Sequence, residues 1–378
     1  MEKYRLGDIC EIVSGSTPKT NIDEYWDGNI KWITPAELND DTYIITDSVR
    51  KITELAVQKT GLISFPEGTV ILSSRAPIGK VAIAGCEMYC NQGFKNLICS
   101  DKIFNRYLYW FFKRNTAFLN SLGRGATFKE ISKSIVSEIE INVPDIKQQK
   151  EAVEILEKVR AIISFRKHEL SVLDDLIKAR FVEMFDGWKN KDGSEPLGEF
   201  LEDITYGFTN PMPDADKGPW KITAKDVVNG IINFNTARKT SQGSYDSLTA
   251  KSKPQLGDVL LTKDGTLGRT AVVEVEGICV NQSIAVLRTN DRILPKYLSI
   301  LLQMPKYQEE MLADAGGGTI KHIYITRVVK MPIIVPSIRE QEKFLIFVNQ
   351  VDKSKVAVQK ALDKTQLLFD SLMQKYFG

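Results

Sequence analysis

The feature that most constrains this 378-residue chain is an internal duplication. Segments of the first half return in the same order in the second half. EGTVILSSRAPIGKVAIA, from Glu67, is matched by LGDVLLTKDGTLGRTAVV, from Leu256, and CNQGF, from Cys90, is matched by VNQSI, from Val280. A chain built in this way folds as copies of one structural unit, so the size of the copy decides the class of architecture.

The copies are long and evenly spaced. Gly68 and Gly257 lie 189 residues apart, and Pro144 and Pro336 lie 192 residues apart. Such a period far exceeds that of a solenoid repeat, and each copy is long enough to bury its own core. We therefore expect two similar domains in tandem.

Each copy combines strand and helix signals. Runs such as VILSS, KVAIA, VLLTK and TAVVEV are rich in β-branched residues and are bounded by Gly and Pro, as strands are. Apolar residues at helical spacing predict a helix from Phe104 to Leu119 and another in the matching region from Pro295 to Met311. Each domain is therefore predicted to be mixed α/β.

After its Val-Pro dipeptide, each copy ends in a charged segment with an apolar heptad pattern, at 146–184 and 338–377. Neither segment contains Gly or Pro, so long helices are predicted. The apolar stripes comprise Ala152, Leu156, Val159, Ile163, Leu170, Leu173, Ile177 and Met184 in the first copy. In the second copy they comprise Phe344, Val348, Val351, Val358, Leu362, Phe369, Leu372 and Tyr376. Arg166, Arg180 and Lys355 interrupt the seams.

The apolar seam of each long helix is larger than one helix can bury alone, so we expect the two long helices to pair with each other. The predicted fold class is α+β, with two mixed α/β domains separated by two long helices that form an antiparallel coiled coil with pseudo-two-fold symmetry. The alternative is that each helix packs on its own domain. The boundaries place the domains at 1–144 and 188–336 and the helices at 145–187 and 337–378.

Composition excludes several classes of protein. No run approaches the length of a membrane span and the first ten residues lack a signal-peptide pattern, so we expect a cytoplasmic protein without a membrane partner. The five cysteines are then expected to be reduced. The net charge is only +2, so any nucleic-acid site has to be a local basic patch.

Motifs for catalysis are missing. The two histidines, His168 and His322, form no metal-binding motif, and Cys86 and Cys90 have no second pair for a zinc site. No phosphate-binding glycine motif occurs, and TNPMP, from Thr209, lacks the aromatic residue of an adenine methyltransferase motif. We therefore predict no catalytic, cofactor-binding or metal-binding residues, although carboxylates brought together by folding leave a nuclease as an alternative.

The segments GSTPKT, IKWITPAEL, ILSSRAPIGKVAI, NQGFKNL and VPDIKQQKE resemble those of type I restriction-modification specificity subunits, and the resemblance covers essentially the whole chain. It implies two target-recognition domains that each read half of an asymmetric, bipartite DNA sequence, with the helices as a ruler. It also implies partners: two modification subunits that bring S-adenosylmethionine, and restriction subunits that use ATP and Mg²⁺. The second copy departs from the pattern, since it has no close equivalent of GSTPKT.

The duplication divides the candidate DNA-binding residues into those shared by the two copies and those that differ. Domains that read different bases should share residues that build the fold or contact phosphates and differ where base edges are read. The shared amides are Asn91, Gln92, Asn281 and Gln282. The basic candidates for phosphate contacts are Arg75, Lys80, Lys95, Arg124, Lys129, Lys263, Arg269 and Lys321. The candidate base readers, in unmatched polar loops, are Lys19, Thr20, Asn21, Thr209, Asn210 and Lys225.

Each assignment has a structural alternative. The amides and the paired Gly79 and Gly268 are also explained by tight turns, and a lone surface lysine is usually only solvated. Apolar residues on the helices either dock partner subunits or pack between the helices; these are Phe165, Leu170, Phe181, Phe347 and Leu368. A scaffold whose two domains bind proteins rather than DNA is the alternative function.

Overall fold

The computed structural model describes residues 2–125, 129–185, 194–228, 230–313 and 322–378. The chain divides into two compact units, one of residues 1–168 with 359–378 and the other of residues 169–358. They are called the first unit and the second unit. This division falls inside both long helical segments, whereas the sequence-based boundaries fall at their ends.

The first unit contains a strand-rich domain and helices that pack against it. Its strands are β1 (Glu2–Arg5), β2 (Cys10–Ser14), β3 (Trp26–Ile33), β4 (Ile44–Ile45), β5 (Arg50–Ile52), β6 (Val70–Ser73), β7 (Val81–Ala84), β8 (Tyr89–Cys90), β9 (Phe94–Cys99) and β10 (Glu140–Val143). Its helices are α1 (Leu6–Ile9), α2 (Glu54–Thr60), α3 (Asn105–Arg114), α4 (Thr116–Leu122), α5 (Lys133–Ser137) and the beginning of α6 (Ile146–Phe185).

The second unit repeats this order. Its strands are β11 (Glu195–Pro196), β12 (Leu201–Tyr206), β13 (Ala215–Ile222), β14 (Val227–Val228), β15 (Ile231–Ile232), β16 (Arg238–Lys239), β17 (Val259–Thr262), β18 (Thr270–Val272), β19 (Ile278–Val280), β20 (Ile284–Thr289) and β21 (Pro332–Ile333). Its helices are α7 (Gln242–Asp246), α8 (Pro295–Leu302), α9 (Pro305–Ala313), α10 (Ile325–Val328) and the beginning of α11 (Ile338–Phe377).

The corresponding strands of the two units lie in the same order in their sheets. The main sheet has the order β2-β9-β6-β7-β4 in the first unit and β12-β20-β17-β18 in the second. A smaller sheet follows the order β5-β3-β8 in one unit and β16-β13-β19 in the other, with one parallel pair in each. The prediction of two similar mixed α/β domains is therefore confirmed.

Aromatic and aliphatic side chains of α3 and α8 form the centre of each core. Tyr107, Leu108 and Phe112 are fully buried on α3, and Tyr297 and Leu298 are fully buried on α8. Burying one such side chain stabilises the fold by roughly 2–3 kcal/mol. Each core therefore fixes the main sheet against the helix that follows it.

The prediction of a single helix after each main sheet is wrong, because two shorter helices occupy that region in each unit. α3 stops at Arg114, and the side chain of the next residue, Asn115, donates a hydrogen bond of 2.9 Å to the carbonyl of Phe111. In the second unit α9 begins at Pro305, which has no N–H with which to continue α8. Asn115 and Pro305 signal the helix breaks, but the apolar periodicity continues across both residues and so predicted one helix.

The two predicted long helices are confirmed as α6 and α11. In the second unit Asp174 pairs with Lys355 and the ring of Phe181 packs on that of Phe344, 5.6 Å away. The contacting positions advance along α6 as they go back along α11, so the two helices pack antiparallel in this unit. In the first unit Arg166, at a seam position, donates to the carbonyl oxygen of Ala361 and the hydroxyl of Thr365. A charged residue in the seam is therefore satisfied by hydrogen bonds across it.

A buried glutamine joins each long helix to its domain. The amide oxygen of Gln149 accepts from the backbone N–H of Phe104 at 2.7 Å, and its nitrogen donates to the carbonyls of Lys102 and Pro144. Gln341 makes the equivalent bonds to Leu294 N–H and to the carbonyls of Arg292 and Pro336. Both side chains are completely buried. This shared residue of the QQK and EQE segments positions the helix rather than contacting a ligand.

Candidate nucleic-acid interface

Four loops at one end of the main sheet meet in the first unit. They comprise residues 15–21, 74–80, 91–93 and the described parts of 124–131, and they form the first loop cluster. Backbone hydrogen bonds join them: Ser16 N–H donates to Cys90 O at 3.0 Å, Ser74 N–H to Gly93 O at 2.8 Å, and Ile131 N–H to Ser74 O at 2.9 Å. The hairpin between β6 and β7 is therefore held on both sides.

The second unit contains the same arrangement, the second loop cluster, in residues 207–213, 263–269, 281–283 and 322–323. Phe208 N–H donates to Val280 O at 3.1 Å, Lys263 N–H to Ser283 O at 2.8 Å, and Ile323 N–H to Lys263 O at 2.9 Å. The three bonds occupy positions that match those of the first cluster. The duplication therefore extends from the strands to the backbone of the loops.

The second unit does have an equivalent of GSTPKT, contrary to the expectation from sequence. A Cβ atom at Gly15 would lie 2.2 Å from Cys90 O, and one at Gly207 would lie 1.8 Å from Val280 O. Glycine is required at both positions because another backbone approaches too closely for any side chain. The signal that was missed in the sequence is short. It is Gly-x-Thr-Pro in the first copy and Gly-x-Thr-x-Pro in the second.

A second missed signal lies in the segment after β3 and β13. Thr34 and Glu37 form a reciprocal capping box around a short 3₁₀ turn, and Thr223 and Asp226 form the same box in the second unit. The pattern Thr-x-x-Glu or Thr-x-x-Asp satisfies two backbone N–H groups at once. It fixes the carbonyl groups that the adjacent hairpin contacts.

The paired asparagines make turn contacts. The side-chain oxygen of Asn91 accepts from Gly93 N–H at 2.9 Å, and that of Asn281 accepts from the hydroxyl and N–H of Ser283 at 2.5 and 3.3 Å. These bonds occupy the amide oxygens in both units. The geometry favours the structural alternative for the two asparagines, while their role in DNA binding stays a prediction.

Several of the basic candidates of the first cluster are bound within their own unit. Arg75 Nε lies 3.0 Å from Glu130 Oε2, and Lys95 Nζ lies 3.3 Å from Glu130 Oε1. The Lys95 side chain is only 7% exposed. Lys80 Nζ donates to the carbonyl of Leu38 at 2.5 Å. Arg75 remains at the surface, whereas the ammonium groups of Lys80 and Lys95 are directed at internal partners.

The second cluster has its own internal pairs. Asp264 accepts from Lys263 Nζ at 2.8 Å and lies 2.6 Å from His322 Nδ1. Arg269, the counterpart of Lys80, donates to the carbonyl of Val227 at 3.4 Å. Val227 follows the capping-box turn, as Leu38 does in the first unit. Cations at matching positions thus contact matching carbonyls.

The other sequence-predicted residues lie at the surface or outside the described chain. The exposed candidates are Lys19, Thr20, Asn21, Gln92, Arg124, Lys129, Thr209, Asn210, Lys225 and Gln282. In the first cluster, the hydroxyl of Thr17 bonds to the Gln92 amide oxygen, which joins the 15–21 loop to the 91–93 loop. Thr209 and Asn210 line a cleft of about 750 Å³ in the second unit. Lys321 lies outside the described residues.

The electrostatic environment of the clusters is set by two carboxylates. Burial alone would raise the pKa of Glu130, but the hydrogen bond from Arg75 and the charge of Lys95 hold it below its ordinary value. Burial likewise opposes ionisation of Asp264, and the hydrogen bonds from His322 and Lys263 hold its pKa below the ordinary value. Both carboxylates are therefore charged at neutral pH and neutralise part of each basic patch.

Two features are absent from the part of the chain that the structure describes. No group of three or more His, Cys, Asp or Glu residues there is placed to hold a metal ion. No helix in the same residues is long and apolar enough to cross a membrane.

Comparison with known proteins gives one family. The family model described as the type I restriction modification DNA specificity domain matches residues 1–174 and 212–366. The MjaIX type I restriction enzyme specificity subunit of Methanocaldococcus jannaschii is 40% identical, over 98% of this chain and 91% of that protein.

Two solved structures have the same fold. One, from work on complex assembly and conformational transition of the type I R-M system, aligns with a TM-score of 0.63 at 18% identity, over 100% of this chain and 97% of that one. The S subunit of the type I restriction-modification system from M. genitalium aligns with a TM-score of 0.52 at 16% identity, over 100% of this chain and 96% of that one.

Two copies of a mixed α/β domain, each with a matching loop cluster and each followed by a long helix, define a duplicated recognition protein. The chain belongs to the family of type I restriction-modification DNA specificity subunits.

Proposed function

We propose that each loop cluster contacts one half of an asymmetric, bipartite sequence in double-stranded DNA. One observation carries this proposal: the two clusters share a hydrogen-bonded backbone frame but expose different side chains. A shared frame presents loops to the same kind of surface, and different side chains select different base edges. Lys19, Thr20 and Asn21 then read bases for the first unit. Thr209 and Asn210 of the second cluster, with Lys225 of the short turn Ala224–Asp226, read bases for the second.

The chain itself is proposed to be a recognition subunit without catalysis. Two modification subunits would supply S-adenosylmethionine and methylate an adenine in each half-site. Restriction subunits would supply the ATP- and Mg²⁺-dependent steps in the cytoplasm. The sequence motifs for those cofactors are missing from this chain, which supports their assignment to partners.

The long helices are proposed to set the distance between half-sites and to dock the modification subunits. Phe165 on α6 is 67% exposed and Leu368 on α11 is 52% exposed. Phe181, by contrast, is buried against Phe344 and Tyr297 and serves the core of the second unit. Exposed apolar residues on a helix that also has a buried seam favour a protein partner.

Co-purification with the host's modification subunits, followed by gel shifts on genomic fragments at fixed salt, tests the proposal. Sequence-selective retention by the complex is expected, with affinity falling as salt rises because phosphate contacts release counterions. Binding of partners without sequence-selective retention would favour the scaffold alternative. Methylation or cleavage by the purified chain alone would contradict the non-catalytic role.

The ruler has its own test. Insertion of four helical residues after Lys167 lengthens α6 by about 6 Å. We expect methylation mapping to show a changed non-specific spacer with both half-site sequences retained. A folded, active variant with an unchanged spacer would contradict the ruler.

A further inference from the structure

An Arg-Lys dipeptide lies at the same place on the edge strand of the smaller sheet in both units. It is Arg50-Lys51 on β5 and Arg238-Lys239 on β16. The strand register shows that the positions match, since Arg50 lies opposite the second-last residue of β3 and Arg238 lies opposite the second-last residue of β13. None of the four residues is buried. Residues that two copies share without burying them are candidates for phosphate contacts.

One member of each dipeptide is neutralised by an aspartate. Lys51 Nζ lies 3.3 Å from Asp47 Oδ1, and Arg238 Nη1 lies 2.6 Å from Asp214 Oδ2. A backbone N–H and the Lys51 ammonium hold the pKa of Asp47 below its ordinary value. Hydrogen bonds from Lys221 and Arg238 do the same for the pKa of Asp214. Both carboxylates are therefore charged at neutral pH, and each cancels the charge of its partner in the dipeptide.

The other member of each dipeptide lies over a tryptophan of the neighbouring strand. The guanidinium carbon of Arg50 is 3.6 Å from the centre of the Trp26 ring, and Lys239 Nζ is 4.4 Å from the centre of the Trp220 ring. Neither cation forms an ion pair with any residue that the structure describes. Arg50 and Lys239 are called the stacked cations. The two units therefore exchange the roles of arginine and lysine, yet each keeps one cation over a tryptophan and one beside a carboxylate.

A cation that lies over a tryptophan is well suited to contact a phosphate. Attraction to the ring face restrains a long, flexible side chain without cancelling its charge. The N–H groups of a guanidinium lie in its own plane, so those of Arg50 stay available while its face covers Trp26. A carboxylate partner, by contrast, occupies such donors and repels a phosphate.

The tryptophans of the first unit are bound to the loop that carries its candidate base readers. Trp26 Nε1 donates to the carbonyl of Lys19 at 3.2 Å, and Trp32 Nε1 donates to the carbonyl of Ser16 at 3.0 Å. Both carbonyl groups belong to the 15–21 loop of the first cluster. Arg50 covers Trp26 and is exposed, so its guanidinium lies beside that loop and faces solvent.

The second unit fixes its corresponding loop to the same sheet through different groups. Lys221 Nζ donates to the carbonyl of Met212 at 2.8 Å, and the hydroxyl of Thr240 donates to the carbonyl of Pro213 at 3.0 Å. Both carbonyl groups belong to the 207–213 loop of the second cluster. Thr240 directly follows Lys239 on the chain, so the stacked cation of this unit also lies beside the loop with candidate base readers.

We propose that Arg50 and Lys239 each contact a DNA phosphate beside the bases that the adjacent loop reads, and that their carboxylate-paired neighbours do not. This inference rests on the proposed function, because it adds phosphate contacts to the same two loop clusters. Lys80 and Lys95, the lysines predicted from sequence for such contacts in the first unit, are directed at internal partners. The smaller sheet supplies the free charge that these lysines do not.

The test uses the full chain in complex with its modification subunits. Affinity for the intact target is measured over a range of salt concentrations, because each lost phosphate contact reduces the slope of log affinity against log salt by about 0.9. Arg50→Gln and Lys239→Gln should each reduce the slope by this amount and weaken binding about three- to tenfold near physiological salt. The double variant D47N/K51Q is the matched control, since it removes a cation together with its carboxylate, and its slope should equal that of wild type.

Two further variants separate charge from packing. Arg50→Met keeps an apolar contact with Trp26 but should show the same reduced slope as Arg50→Gln, whereas Arg50→Lys keeps the charge and should restore the slope. A phosphate carries no sequence information. The ratio of affinities for the intact target and for targets with one half-site randomised should therefore stay as in wild type for every Arg50 variant. Thermal unfolding of each complex verifies that it is folded.

The possible failures are distinguishable. A wild-type complex without sequence-selective binding refutes the proposed function. Selective binding by wild type, with an unchanged slope in Arg50→Gln or in Lys239→Gln, refutes the inference alone. Loss of discrimination at one half-site without a change of slope would identify a base reader and would also overturn it. Loss of a modification subunit from the Arg50→Gln complex, with an unchanged slope for DNA, would place the cation at a protein interface instead and overturn it as well.

Discussion

The first and second loop clusters have the same backbone frame but different residue types at the contact that closes it. Gly15 and Gly207 allow the same close approach, and the asparagines of the 91–93 and 281–283 loops close the same turn. Arg75 with Glu130, however, is replaced by Asp264 with His322. Backbone geometry is thus constrained by the fold, whereas side-chain chemistry is free to change as long as the contact survives.

The largest expected effect comes from the glycines. Gly207→Ala forces a Cβ atom into Val280 O, and we expect a loss of about 3 kcal/mol of folding free energy together with loss of second half-site recognition. Gly15→Ala should do the same for the first half-site only. Chemical denaturation and binding to half-randomised targets measure the two effects.

Gly243→Ala is the matched control, because nothing lies within 4 Å of its Cβ position. Its stability should be unchanged or slightly increased. If Gly15→Ala and Gly207→Ala both weakened both half-sites equally, the units would not act independently.

The buried glutamines give the next largest effect. Gln149→Ala and Gln341→Ala each leave one partly buried N–H and two carbonyl groups without their partner, so we expect each to cost roughly 2–3 kcal/mol of folding free energy. Equal costs would show that the two units anchor their helices in the same way. Gln148→Ala, at an exposed position, is the control and should change the free energy of unfolding by under about 0.5 kcal/mol.

The sequence predicted the fold better than the site, for physical reasons. The strand and helix signals of each domain and the two long helices follow from apolar periodicity, which appears in both copies and therefore reports on the fold. The division of each middle helix at Asn115 and Pro305 depends on single residues within an apolar pattern. Periodicity cannot register such interruptions.

The basic candidates show why the site was harder to predict. A lysine in a loop has the same sequence signal whether it faces solvent or a carbonyl group. Lys95 lies on β9 beside Glu130, and Lys80 reaches across to the 3₁₀ turn. Both partners are distant in sequence, at 35 and 45 residues, so only the folded chain identifies them.

The smallest expected effect concerns acid stability. Folding lowers the pKa of Glu130. Its ion pairs therefore stabilise the first unit fully at pH values above the unfolded-state pKa of about 4.3. This stabilisation is lost as the pH falls through the lower pKa of the folded state. Glu130 is partly exposed, so the effect should stay under about 1 kcal/mol. Denaturation of wild type and Glu130→Gln should differ at pH 7 and converge at about pH 3; a constant difference would contradict the pairing.

Each unit is proposed to read one half of the target independently of the other. Exchange of residues 1–144 for the same region of another specificity subunit, followed by long-read methylation mapping, tests it most directly. We expect one half-site to change while the other half-site stays the same. A change in both half-sites, or in neither, in a folded and active complex would contradict it.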